Sequence, residues 1–150
     1  MKFTMLVVDD EKNIREGLGE YLRLEGYDVV LAADGKEGVQ AADRGDVDLV
    51  ITDLRMPGLS GGELLKHVAA RYPSVPVIVL TGHGTVEDAV DAMRNGAYDF
   101  ITKPVNLDHL SILGKRALES RERSEENRSE LKSRIHTSDD ASSLEKKKKN

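Results

Sequence analysis

Five short apolar runs, each rich in β-branched residues and each followed by a helical pattern, limit this chain to very few architectures. The runs are "TMLVVD" (4–9), "DVVLA" (28–32), "VDLVITD" (47–53), "VPVIVLT" (75–81) and "YDFITK" (98–103). They are mostly continuous rather than alternating, which is the pattern of strands covered on both faces in a parallel sheet. Helical stretches fill the intervals. "EKNIREGLGEYLRLEG" sets Ile14, Leu18, Tyr21 and Leu22 on one stripe and stops at Gly26. "GKEGVQAADRG" is a weaker helix ending at Gly45, and "SGGELLKHVAARYP" opens with Ser60 and Glu63 at capping-box spacing. "TVEDAVDAMRNG" opens with Thr85 and Asp88 and closes at Asn95-Gly96, and the last helix begins at a good cap, Asn106. A strand, a helix and a parallel strand make a right-handed crossover unit. Five such units predict an α/β fold, a doubly wound (βα)5 sandwich with its five-stranded parallel sheet in order 2-1-3-4-5.

The pattern fades near residue 120. Residues 1–120 read as one folded domain and 121–150 as a charged tail. Between 120 and 150 only Leu131, Ile135, Ala141 and Leu144 are aliphatic, too few to offset the entropy of ordering. "RERSEENRSELKSRI" is expected to prolong the last helix through mixed charge pairs, and "HTSDDASSLEKKKKN" to be disordered, its lysine run reading as an appended remnant. Charge divides the same way. Residues 1–119 carry thirteen Lys/Arg against twenty Asp/Glu, whereas the tail is net positive. An acidic body argues against direct nucleic-acid binding. With no cysteine, disulfides, thiolate metal sites and a cysteine nucleophile are excluded. His67, His83, His109 and His136 lack metal-ligand spacing and read as surface or cap residues. No apolar stretch reaches the roughly 20 residues that span a membrane, and no signal-peptide layout is present, so the expected location is the cytoplasm.

In an open α/β sheet the working crevice lies outside the carboxyl ends of the strands. Those ends carry Asp9 and Asp10 after strand 1, Asp53 after strand 3, Thr81 after strand 4 and Lys103 after strand 5. Taken singly, each has an ordinary explanation as a turn acid, a cap hydroxyl or a solvated ammonium. In order 2-1-3-4-5 they become neighbours. Like charges about 4 Å apart repel by roughly 4 kcal/mol at an effective dielectric of 20. Lys103 supplies one positive charge, and the remaining deficit suits a hard divalent cation with oxygen ligands, Mg²⁺ before Mn²⁺. A divalent cation, an ammonium, a hydroxyl and a free carboxylate form a layout for phosphoryl transfer, with an acyl phosphate on Asp53 as product.

"LVVDDE", "LVITDLRMPGLSG", "VIVLTGHG" and "GAYDFITKP" together resemble the receiver domain of two-component response regulators, over roughly residues 3 to 119. The resemblance implies Asp53 as phosphoacceptor. It implies Asp10 as a direct Mg²⁺ ligand, Asp9 as a ligand through water, and the backbone carbonyl of Arg55 as a further one. Thr81 and Lys103 would contact the phosphoryl oxygens, and Phe100 takes the aromatic switch position. Lys103-Pro104 is expected to be cis, X–Pro being the one bond where cis is cheap. The implied partners are a sensor histidine kinase and a second receiver in a phosphorylation-dependent homodimer. The face expected to change is helix 85–95, strand 98–102 and the helix from Asn106. "TGHGTVEDAVDAMRNGAYDFITKP" is similar to receivers of the nitrogen-regulation type, which precede an AAA+ ATPase and a DNA-binding domain. No G-x-x-x-x-G-K-[ST] loop occurs in the chain, so those domains are expected to lie outside it.

Other readings compete. A flavodoxin-like nucleotide binder shares the fold but wants a Gly/Ser/Thr-rich loop where this chain has "DDEKN". An Mg²⁺-dependent aspartyl phosphatase of the haloacid-dehalogenase type wants an acid two residues after its nucleophile, where Arg55 stands. A stand-alone receiver acting by protein contact or phosphorelay is the nearer alternative. The favoured reading is a phosphorylation switch that controls transcription through a downstream effector and catalyses its own phosphorylation and dephosphorylation.

Overall fold

The computed structural model of the chain describes residues 2–82 and 86–135, with backbone alone for 122–135. Five strands alternate with five helices: β1 (Thr4–Val8), α1 (Lys12–Leu24), β2 (Asp28–Ala32), α2 (Gly35–Ala42), β3 (Leu49–Asp53), α3 (Gly61–Arg71), β4 (Val77–Thr81), α4 (Val86–Arg94), β5 (Asp99–Thr102) and α5 (Leu107–Ile135). The sheet order is β2-β1-β3-β4-β5 and every pairing is parallel, as the apolar runs predict.

Strand alternation divides the core in two. Leu6, Val8, Val50, Val77 and Val79 face α2, α3 and α4, where they meet Ala41, Leu64, Leu65, Val68 and Ala92. Met5, Val7, Leu49, Ile51, Ile78, Leu80 and Ile101 face α1 and α5, where they meet Leu18, Leu22, Leu110, Leu113 and Ala117. Helices cover both faces, which accounts for runs that are apolar without alternation.

Three strands start later than the apolar pattern suggests, β5 by one residue and β3 and β4 by two. Val75 packs on the core and Val47 is buried, yet neither joins the ladder. Pro76 has no N–H to donate, so β4 begins at Val77. Ahead of β3, the Thr4 N–H bonds the Asp48 side chain at 2.8 Å. The helix caps are largely those expected. Ser60 Oγ accepts from the Glu63 N–H and Asn106 Oδ1 from the His109 N–H. Asp34 caps α2, accepting from the Glu37 N–H. α5 continues through Ile135, as its charge pairs anticipate. The expected disorder from residue 136 onward, and the Thr85 start of α4, lie outside the described residues.

Candidate functional site

The strand ends deliver their side chains to one rim, on opposite faces of the sheet. Asp9 follows Met5 and Val7, and Asp53 follows Leu49 and Ile51, so both acids continue the α1/α5 face. Thr81 follows Val77 and Val79 and continues the α3/α4 face. Lys103 enters from beyond β5 and bridges the acids, its Nζ 3.1 Å from Asp53 Oδ2 and 3.0 Å from Asp9 Oδ2. The bond to Asp53 is a directed hydrogen bond, whereas Asp9 Oδ2 is held by charge alone. Asp9 is fully buried, and its other oxygen accepts from the Glu11 N–H at 2.9 Å. The Lys103–Pro104 bond is cis, as the resemblance implies.

Charge balance at the rim is incomplete. Asp9, Asp10 and Asp53 each present a carboxylate oxygen within 4.8 Å of the others, and the Lys103 ammonium pairs with two of them, Asp9 and Asp53. Burial holds the Asp53 carboxyl above its ordinary range; the Lys103 bond and charge and the Arg55 N–H pull it down, and Asp9 pushes it up. For Lys103, burial is the largest single influence and lowers the ammonium, but the close contacts and charges of Asp9 and Asp53 together outweigh it and leave it raised. The oxygen-only donor set and its spacing suit a small hard cation, since opposite ligands of octahedral Mg²⁺ sit roughly 4.2 Å apart. The Thr81 hydroxyl oxygen is buried and has no hydrogen-bond partner among the described residues. A buried hydroxyl without a partner is rare enough to require a reason.

A cleft of about 400 Å³ opens over these groups, lined by Glu11, Asp53, Leu54, Arg55, Thr81, Gly82, Asp88 and Lys103. The site is partly built by glycine. A Cβ on Gly61 would stand 1.9 Å from the Asp53 carbonyl oxygen, and one on Gly35 would stand 2.1 Å from that of Leu59. These two close approaches fold the β3–α3 loop tightly against the acidic strand end. "GLSGG" and "ADG" carry the glycines in the sequence, but nothing local marks them as contacts with a distant backbone. Phe100 is half-buried and packs on the α4 side of the core, next to Val79 across the strands. The sequence missed Glu11 and Asp88 at the cleft. In the structure Arg55 Nη2 bonds both carboxylate oxygens of Asp88, at 3.0 and 2.9 Å. His67, read as a surface residue, bonds Asp43 at 2.7 Å between α2 and α3, away from the rim.

Comparison with known proteins fits this geometry. Residues 5–113 match the family described as the response regulator receiver domain, and the chain belongs to that family. The transcriptional regulatory protein GlrR of Escherichia coli K12 is 45% identical over 106 residues, 71% of this chain and 24% of the relative. A putative NtrX-like response regulator of Rickettsia felis is 41% identical over 133 residues, 87% of this chain and 28% of the relative. Among solved structures, NtrX from Brucella abortus in complex with ADP superposes with a TM-score of 0.79 at 38% identity, covering 84% of this chain and 29% of that one. A response regulator receiver domain protein from Clostridium thermocellum gives 0.75 at 35%, covering 80% and 97%. The chain thus spans about a quarter of the length of the curated relatives it matches. NtrX-like relatives are what the nitrogen-regulation resemblance anticipates. Among the described residues, no helix is long and apolar enough to cross a membrane.

Proposed function

We propose that this receiver domain, residues 1–120, accepts a phosphoryl group on Asp53 from the phosphohistidine of a sensor kinase. The observation that carries the reading is the rim itself: three acids cluster there, two of them paired with the one Lys103 ammonium, beside a buried hydroxyl with no partner among the described residues. Asp9, Asp10, Asp53 and the Arg55 carbonyl would hold Mg²⁺ or Mn²⁺. When bound, the cation would neutralise charge on the phosphoryl oxygens.

An Asp53 carboxylate oxygen attacks phosphorus in line. The new P–O bond forms as the P–N bond to the donor imidazole breaks, and the imidazole nitrogen keeps the electron pair and takes up a proton. Lys103, already 3.1 Å from Asp53, supplies a fixed positive charge to the oxygens that gain it. The Thr81 hydroxyl gains in the phosphorylated state the acceptor it lacks here. Its turn toward the phosphoryl group reshapes the segment after β4 and lets the half-buried Phe100 ring move further inward. The affected face carries exposed apolar side chains, Val86, Val90 and Met93 on α4 and Ile112 on α5. This face would meet a second receiver or a downstream effector domain, so that phosphorylation in the cytoplasm controls transcription.

The test is intact-mass analysis after incubation with acetyl phosphate and Mg²⁺. One added HPO₃ is expected on the wild type and none on Asp53→Asn or without the divalent cation. Labelling that persists in Asp53→Asn assigns the acceptor elsewhere.

A further inference from the structure

Arg55 lies two residues past the proposed phosphoacceptor and is tied to a different element. Its guanidinium bonds Asp88, in the first turn of α4, across 33 residues of sequence. The side chain of Arg55 is 78% exposed and that of Asp88 19%. Both bonds come from one nitrogen, Nη2. The paired fork that makes arginine–carboxylate contacts strong is therefore not formed, and Nη1 and Nε keep their donors for another anion. With its arginine this exposed, the pair is among the weaker ion pairs in proteins. Asp88 is also supported by its position, because a carboxylate in the first turn of a helix is stabilised by the helix dipole. The contact is therefore cheap to open from the arginine side.

We propose that Asp88 is an internal competitor for Arg55: it holds the guanidinium in the resting chain and yields it to a phosphoryl group on Asp53, thereby setting how long that group survives. The inference deepens the phosphoacceptor reading and rests on it. Arg55, Asp53 and Asp88 line the same cleft, and Arg55 follows Asp53 by two residues, so the root of its side chain stands beside the acceptor. A phosphoryl group brings nearly two negative charges and three acceptor oxygens, against the single charge of Asp88. Hydrolysis is attack of water on phosphorus with cleavage of the bond to the Asp53 oxygen, restoring the carboxylate and releasing inorganic phosphate. A guanidinium lying on the phosphoryl oxygens excludes that water. The same transfer unties the first turn of α4 from the β3–α3 loop, so lifetime and switching are set by one residue pair.

A double-mutant cycle tests this with wild type, Asp88→Asn, Arg55→Ala and the double variant. Each is charged with acetyl phosphate and Mg²⁺, desalted, and followed by intact mass for loss of the adduct. Asp88→Asn should lengthen the half-life about two- to fivefold, the range set by an exposed ion pair, and only while Arg55 is present. Amide exchange in residues 86–89 should quicken on phosphorylation of the wild type and be fast already in Arg55→Ala. Arg55→Lys, which keeps the charge, should retain part of the Asp88→Asn effect. An Asp88→Asn effect of equal size in both backgrounds would mark Asp88 as a helix-stabilising residue and overturn the proposal, as would no change in either background. If the wild type takes no adduct at all, the phosphoacceptor reading falls and the proposal with it, a result distinct from a cycle without coupling.

Discussion

Two aspartates bracket β3, and they are treated in opposite ways. Asp48, just before the strand, spends its oxygens on structure: Oδ2 accepts the Thr4 N–H and Oδ1 the Arg121 guanidinium. It thereby ties the start of β1 to α5 at the lower edge of the sheet. Asp53, at the strand's end, shares its one ammonium with Asp9 and has Asp10 at ligand distance. Nothing in the local sequence separates them, since "VDL" and "TDL" each put an acid against an apolar strand. The difference is set by what the other elements deliver. An acid whose acceptors are all engaged is part of the scaffold, whereas buried Asp9 and Asp53 have one ammonium between them and exposed Asp10 beside them.

Removing the ammonium should break the comparison most. Lys103→Met keeps the bulk of the side chain and leaves Asp9 and Asp53 facing each other without a counterion. A loss of about 2–4 kcal/mol is expected, near the range for a broken buried pair, and part of it should return with millimolar Mg²⁺. Urea denaturation with and without the cation measures both. The sign with pH is defined. The folded ammonium's pKa is raised above its ordinary 10.5, so its contribution is complete below that value and lost only as pH climbs through the raised one. Equal stabilities of variant and wild type at neutral pH would mean the rim acids do not depend on Lys103.

At the other end of β3, Asp48→Ala should cost about 1–3 kcal/mol, the usual penalty for stranding partly buried donors. Here Mg²⁺ should return nothing, which separates a scaffold acid from a ligand-poised one. Amide exchange should quicken at Thr4 and along α5 near Arg121. A variant rescued by the cation would erase the distinction between the two ends.

The fold was readable because the signal is local and repeated: five apolar strands, each with a helix behind it, leave one common order of assembly. The rim was readable for a related reason, since once the order is set, residues 9, 53, 81 and 103 must meet. What was hidden lies in single contacts between distant positions. Arg55 reaches Asp88 across 33 residues and Arg121 reaches Asp48 across 73, and no periodicity encodes either pairing. Gly61 and Gly35 matter through the carbonyls they press on, which only the assembled β3–α3 loop brings near. Strand starts slipped for a similar reason, because Val47 and Val75 are core residues whose backbone never enters the ladder.

The smallest expected effect sharpens the comparison from the other side. Burial first, and then Asp9, hold the Asp53 carboxyl above its ordinary range, against the pull of Lys103 and the Arg55 N–H. A raised folded value means that the folded chain keeps its proton after the unfolded chain has lost it. Stability therefore falls as pH rises from the ordinary carboxylate pKa, about 3.9, to the folded one. Above that the cost is constant, so it is present in full at neutral pH. Asp53→Asn keeps the shape and removes the charge, and it should stabilise the metal-free domain by about 1 kcal/mol, the low end of the repulsion between unit charges some 4 Å apart. The gain should shrink toward zero below the ordinary carboxylate range, where the wild-type group is protonated in both states, and it should shrink again at neutral pH when Mg²⁺ is added. Asp48→Asn, which dilutes an ion pair instead of relieving a repulsion, should move stability the opposite way. Thermal melts of both variants across pH 3–8 decide the matter, and a destabilising Asp53→Asn at neutral pH would show that this carboxylate, too, belongs to the scaffold.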